Sequence, residues 1–535
     1  MEAGIYRIKF TASFLLVLLI IIGVYGEDSP PLVEISNGWV QGTHEKSYNG
    51  RVYSSFQGIP YAQSPVGDLR FEAPKEPYNW TGTWIANTKY SCMYLTTTGV
   101  TGDEDCLYIN VHVPREKPTP SDNLNVIVHI HGGGFMVWDA NFYAGEKYLM
   151  DEDVIFVTMN YRLGVLGFLS TEDLIMPGNN GMKDQVLSLV WIQKNIKYFG
   201  GNPQSVTITG MSAGLFHRGV SQSGTALDSW VVPGSQLKVA NQLGEKLGCP
   251  TETSTELRDC LRTRSAKYLV NSSPSLLIGG AIEGIMFSPA VEKVHEGAFL
   301  TEHPYKLLLE GNVADVPWIS VSSPSPSDFF NNFDQVIPRI AGYHDVDDTQ
   351  KQIITDKIKE FYFHQHGHSH GHEDIGGLIQ LITDKMFLAG ADRSAKLQAK
   401  VNKAPVYSYI FGYRGQHSFM DYFLPNTDHI GTSHGDDILY YLHTPIAEKK
   451  LSEADEKMKS VFLRWLTSYA ETDEPKIEGK EWKAVTGDDI VLEFMYFESP
   501  NEIHFEVAEG LGATTFWSKL PLKENEGLKK IRDEL

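Results

Sequence analysis

Apolar residues along the chain fall into two patterns, short unbroken runs and stripes at helical spacing. Four runs, Asn125 to His131, Val154 to Asn160, Ser205 to Gly210 and Val406 to Phe411, are short, β-rich and bounded by turn formers, so each is predicted as a strand. Between the second and third lies Met182 to Phe199, a helical stretch closed by Gly200-Gly201. Strand, helix, strand is the order a parallel sheet requires. Farther on, Met458, Val461, Phe462, Trp465, Leu466 and Tyr469 share one helical face, which marks a helix packed on a core. There are no internal repeats. The predicted fold class is α/β, with a mostly parallel central sheet flanked by helices.

One apolar stretch belongs to neither pattern. Phe14 to Val24 follows Arg7 and Lys9 and precedes the small residue Gly26, the layout of a secretory signal peptide. It is short for a bilayer-spanning helix and no later segment matches it. The expected division is therefore a signal peptide over 1–26 and one domain over 27–535, with no integral membrane span after signal removal. The last four residues, Arg532-Asp533-Glu534-Leu535, resemble retrieval signals of the endoplasmic reticulum, so the expected location is the lumen or, beyond it, the secreted fraction.

Composition narrows the partners. At 535 residues, 42% hydrophobic and 11% aromatic, the chain can bury a large core, which excludes disorder as a global description. A formal net charge of -21 argues against nucleic acid or an anionic membrane as partner and leaves small molecules. The 4 cysteines suit an oxidising compartment; sequence proximity favours pairing Cys92 with Cys106 and Cys249 with Cys260. Sequons begin at Asn79 and Asn271, two candidate glycosylation sites. The histidine-rich stretch His364 to His372 has no fixed frame of cysteines or carboxylates, so it is expected to be an exposed polar loop and not a metal site.

The candidate chemistry begins after the third predicted strand, in Gly210-Met211-Ser212-Ala213-Gly214. This G-x-S-x-G spacing lets the chain turn sharply and project the hydroxyl of Ser212 from the end of a sheet as a nucleophile. Upstream, His131-Gly132-Gly133-Gly134-Phe135 follows a strand, and its glycines bare backbone N–H groups that can meet an oxyanion without a Cβ in the way. A serine nucleophile needs a base. His434 lies C-terminal to the serine, in Gly431-Thr432-Ser433-His434-Gly435-Asp436-Asp437, but among 18 histidines position alone separates it poorly from His429 or His443.

From about Leu32 to Trp517 the chain resembles the type-B carboxylesterase and cholinesterase family, the insect carboxylesterases above all. The resemblance rests on Arg70-Phe71, EDCLYINVHVP at Glu104 to Pro114, HGGGF, NYRLG at Asn160 to Gly164, LFHRGVSQSG at Leu215 to Gly224, and SHGDD at Ser433 to Asp437, all in family order. It implies an α/β-hydrolase fold and hydrolysis of small carboxylic esters through an acyl-enzyme. In that scheme Ser212 is nucleophile and His434 base, Gly133, Gly134 and Ala213 donate to the oxyanion, and Ser223 lies behind the histidine. No metal or organic cofactor is implied.

Three departures from the family pattern stand out. Met211 occupies a position where relatives resemble GESAG or GQSAG, removing a polar group beside the serine. Gly214 runs directly into Leu215-Phe216-His217-Arg218, so the helix that follows the elbow in relatives is missing, and so short a return is expected to cost both the parallel sheet and the oxyanion their support. After Val316-Pro317-Trp318 no glutamate matches the family's acid; Asp328 is the nearest carboxylate, which leaves the catalytic acid unassigned. The expectation is thus a serine carboxylesterase with little or no turnover. The alternatives are an inactive or incomplete version of such an enzyme, a cholinesterase, and a non-catalytic adhesion relative. The stretch Cys92 to Cys106 has no tryptophan to trap a cation, which disfavours choline esters; adhesion relatives lose the serine that this chain keeps.

Overall fold

The computed structural model describes residues 29–211, 218–228, 231, 235–273, 287–322, 337–338, 341–343, 346–363, 375–422, 431–445, 451–488 and 490–534. The predicted signal peptide, Ser212 and Ala213, Asp328 and the His364 to His372 stretch lie outside the described residues.

Among the described residues the core is an eleven-stranded sheet. Its strands are β1 (Thr43–Lys46), β2 (Val52–Pro60), β3 (Tyr108–Val113), β4 (Leu124–Ile130), β5 (Val154–Met159), β6 (Gly201–Met211), β7 (Gly219–Gln222), β8 (Trp318–Ser322), β9 (Val406–Phe411), β10 (Leu492–Phe497) and β11 (Ile503–Ala508). In space the order is β11-β10-β9-β8-β7-β6-β4-β5-β3-β2-β1. Every pairing from β10 across to β5 is parallel. The flanking pairs are antiparallel.

The four predicted strands are all present, as β4, β5, β6 and β9. They read as unbroken apolar runs because both faces of the sheet are covered. Val126, Val128 and Ile130 of β4 join one buried cluster, and Ile127 joins another on the opposite face. The predicted helix before β6 is α1 (Asn180–Asn195), prolonged by a 3-10 turn over Ile196–Phe199. Gly200 ends it at φ +84°, where its N–H donates to the carbonyls of Ile196 and Lys197. Toward the C-terminus come α2 (Asp348–Phe363), α3 (Ile375–Thr383), α4 (Ala389–Val401), α5 (Glu453–Thr472) and α6 (Lys523–Glu534). Helix α5 starts on a capping box between Ser452 and Asp455 and buries Met458, Phe462, Trp465, Leu466 and Tyr469, the face its sequence predicts.

The short return after β6 behaves differently from expectation. Strands β6 and β7 are parallel neighbours, with Ile208 opposite Gly219 and Met211 opposite Gln222. Because they overlap only over those few residues, the chain has to travel back about 10 Å. The residues from Ser212 to Arg218 can span about 23 Å when extended. The sheet therefore stays continuous across this short return, which corrects the expectation that it loses its support there. Arg218 secures the returning chain: its guanidinium pairs with Asp473 and donates to the Ala470 carbonyl at 2.8 Å, a cation at the C-terminal end of α5.

Both expected disulfides are bonded, Cys92 to Cys106 and Cys249 to Cys260. Asn79 and Asn271 are exposed. Among the described residues no helix is long and apolar enough to cross a membrane.

Candidate active site

The site is built where β4, β6 and β7 end side by side. Gly210 of β6 lies opposite Ile130 of β4, and Met211 opposite Gln222 of β7. The chain thus leaves β6 for Ser212 between the glycine loop that follows β4 and the residues that follow β7.

The glycine loop is held by close contacts and hydrogen bonds. Gly133 and Gly134 sit at φ +109° and +57°, and a Cβ on Gly133 would meet the Val137 carbonyl oxygen at 2.2 Å, so only glycine fits. The Gly133 carbonyl accepts from the amides of Met136 and Val137 at 3.0 and 3.2 Å. The Gly132 amide donates to the Tyr143 hydroxyl at 2.6 Å, and Tyr161 donates to the His131 carbonyl at 2.9 Å. The His131 ring stacks on Tyr161 with centroids 4.5 Å apart, and burial holds its pKa down at about 4, so it is neutral at pH 7. Among the described residues no acceptor takes up the amides of Gly133 and Gly134, which leaves them available to a developing negative charge.

His434 lies in a turn held from two sides by the carboxylates that follow it. Asp436 accepts from the Ser433 amide at 2.8 Å, the Ser418 hydroxyl at 2.7 Å and the Phe419 amide at 2.6 Å. Asp437 accepts from Gln222 Nε2 at 2.8 Å and the Tyr409 hydroxyl at 2.9 Å, while Tyr441 donates to Gln222 Oε1. Gln222 is the register partner of Met211, so this bond ties the histidine turn to the strand end that leads into Ser212. Burial pushes the Asp436 carboxyl up to about 7, raises that of Asp437, and holds the His434 imidazole down at about 4. The His434 ring stacks on Phe387, with centroids 4.7 Å apart and planes 26° from parallel.

Ser223 follows β7, buried, at φ +49°, its amide bonded to the Val321 carbonyl at 3.0 Å. The structure thus places Gly133, Gly134, Ser223 and His434 around the ends of adjacent strands. Ala213 and the candidate acid Asp328 fall outside the described residues, and both Asp436 and Asp437 are committed to other partners. Gln222, Asp437, Tyr143 and Phe387 carry no role in the sequence reading. The first two stand inside motifs, where a buried amide at a strand end beside a carboxylate at a turn was the available signal; Tyr143 and Phe387 gave none. Among the described residues no group of three or more histidines, cysteines or carboxylates is placed to hold a metal ion.

A profile described as the carboxylesterase family matches residues 29–502. Venom carboxylesterase-6 of Apis mellifera is 33% identical, over 97% of this chain and 100% of its own length. Esterase FE4 of Myzus persicae is 35% identical, over 94% of this chain and 95% of its own. A crystal structure of juvenile hormone esterase from Manduca sexta with OTFP covalently attached superposes with a TM-score of 0.77 at 26% identity, covering 95% of this chain and 99% of that one.

Proposed function

Since this chain belongs to the carboxylesterase family, and is by that template a serine carboxylester hydrolase with the α/β-hydrolase fold, we propose that it cleaves small carboxylic esters through an acyl-enzyme on Ser212. Neutral His434 takes the Ser212 proton as the oxygen attacks the ester carbonyl. The carbonyl oxygen becomes an oxyanion, met by the amides of Gly133, Gly134 and Ala213. As the tetrahedral centre collapses, the C–O bond to the alcohol breaks and the imidazolium returns its proton to the leaving alkoxide. Water, deprotonated by the same imidazole, then attacks the acyl carbon; the acid departs and Ser212 regains its proton. The observation that carries the reading is the pinned glycine loop, whose two amides find no acceptor among the described residues.

Turnover is low in this reading. The residues between β6 and β7 are too few for the helix whose N-terminus backs the oxyanion in relatives, and no glutamate follows Trp318 at the family position. In a serine protease, the handicap of a lost acid is about 10⁴ in turnover. The domain organisation proposed is a signal peptide over 1–26 and one enzyme domain over 27–535. The two disulfides support passage through the secretory pathway.

The test uses a small chromogenic ester and a serine-directed organophosphate on three proteins: the chain as it stands, S212A, and a version given a family-like helix after the elbow and a Glu-Gly segment after Trp318. Labelling of Ser212 in the chain as it stands, with strong turnover only in the repaired version, is expected. Hydrolysis that survives S212A overturns the acyl-enzyme reading. Equal turnover with and without the repair overturns the low-turnover part.

A further inference from the structure

Between α3 and α4 the helix does not run on smoothly: Asp384–Leu388 forms a π turn. Such a turn inserts one residue into the helical repeat and so rotates the side chains around it. Here the side chain it re-aims is Phe387, 8% exposed, whose ring lies on His434.

The turn is fixed at each end. Asp384 accepts from the Tyr362 hydroxyl at 3.0 Å and from Gln380 Nε2 at 2.7 Å, and Tyr362 in turn accepts from Trp517 Nε1 at 2.9 Å. Lys385 reaches Glu524 of α6 at 2.6 Å. One turn farther on, Gly390 lies against Asp228, so closely that a Cβ there would meet the carboxylate oxygen at 1.8 Å. Helices α2 and α6, the α4 segment and the loop after β7 therefore all brace the position of one phenyl ring.

We propose that Phe387 is a positioning residue for the esterase reaction, its ring fixing the plane of the His434 imidazole by stacking. The proposal rests on the reading of His434 as the base. A flat apolar ring on one face stops the imidazole from rotating out of line with the serine. The ring's negative face also favours the imidazolium that forms during attack. Both effects act in the step that kcat reports and leave substrate binding alone.

Two variants separate this from a packing role. F387L keeps apolar bulk and loses the ring; F387Y keeps the ring. Against a chromogenic ester, F387L should lower kcat about tenfold with KM unchanged, and F387Y should stay close to the parent. In protein labelled with ¹³C at histidine Cε1, the His434 signal, assigned by its loss in H434Q, should lie upfield from the ring current of Phe387. It should move downfield in F387L and hold in F387Y. A His434 signal unmoved in F387L overturns the proposal, as does a rise in KM with kcat intact. If no protein in the series turns over ester, that is the low turnover expected of this chain, organophosphate labelling of Ser212 tests the esterase reading, and the His434 signal decides whether Phe387 fixes the ring.

Discussion

His434 illustrates how a single residue's surroundings set its chemistry. Burial lowers its pKa from 6.5 to about 4, which keeps the imidazole neutral and able to accept a proton over the whole physiological range. A base works only when deprotonated, so activity should be full above that value and lost as the pH falls through it. The acidic limb of kcat/KM, which reports the free enzyme, is expected near pH 4. A carboxylate facing Nδ1 would stabilise the imidazolium and move the limb back to 6.5 or above. Measuring kcat/KM for a small ester from pH 3.5 to 8 checks where the limb lies, and a limb at 6.5 or higher would mean that burial does not set the pKa of His434 in the working enzyme. The role proposed for His434 comes only from the SHGDD motif. What holds it was not legible: Asp437 meets Gln222 across 215 residues of sequence, and the Phe387 stack depends on a π turn that tertiary contacts impose. Local pattern carries neither.

At the scale of elements, the strands were the most legible part of the fold, because strands buried on both faces write themselves as continuous apolar runs. Strand β9 even has its predicted bounds, Val406–Phe411. The return from β6 to β7 was misread because crossover length was judged against a full strand, whereas the overlap is short. The disulfide loops form another unit that sequence showed only in part. Glu104, inside the Cys92–Cys106 loop, holds Arg70 at 2.7 Å, and Arg70 also donates to the carbonyls of Arg262 and Arg264, just past Cys260, at 3.2 and 2.6 Å. One arginine thus joins both disulfide loops. Replacing Cys92 and Cys106 by alanine should cost about 3 kcal/mol of unfolding free energy in the chain-entropy model. Adding R70M should then cost less than R70M does alone, because the loop that Arg70 grips has already loosened. Urea titration of the three variants checks this; strict additivity would mean that the loops are independent.

For the whole molecule, the question is where it resides. Arg532 to Glu534 of the C-terminal tetrapeptide belong to α6, and Arg532 donates to the Tyr305 hydroxyl at 3.0 Å, so the retrieval-like signal begins on the body of the enzyme. Deleting Arg532 to Leu535 should raise the fraction of protein that cells secrete, measured by pulse-chase. A full-length chain that leaves cells as fast as the truncated one rules out lumenal retention. The tetrapeptide itself is legible in sequence; the docking of Arg532 against Tyr305 was not, because the two lie 227 residues apart.

The short link between β6 and β7 also bears on the order in which the molecule assembles. Closing a loop costs entropy that grows with the logarithm of its length, about 0.6 kcal/mol for each doubling. A parallel pair is normally slow to form because a long crossover must be closed before any strand contact rewards it. Here that closure is short, so the centre of the sheet, ordinarily a late and long-range pairing, becomes the most local of the parallel pairings described. Strands β6 and β7 can zip early and offer their outer edges to β4 and β8, which makes this stretch the natural nucleus for folding.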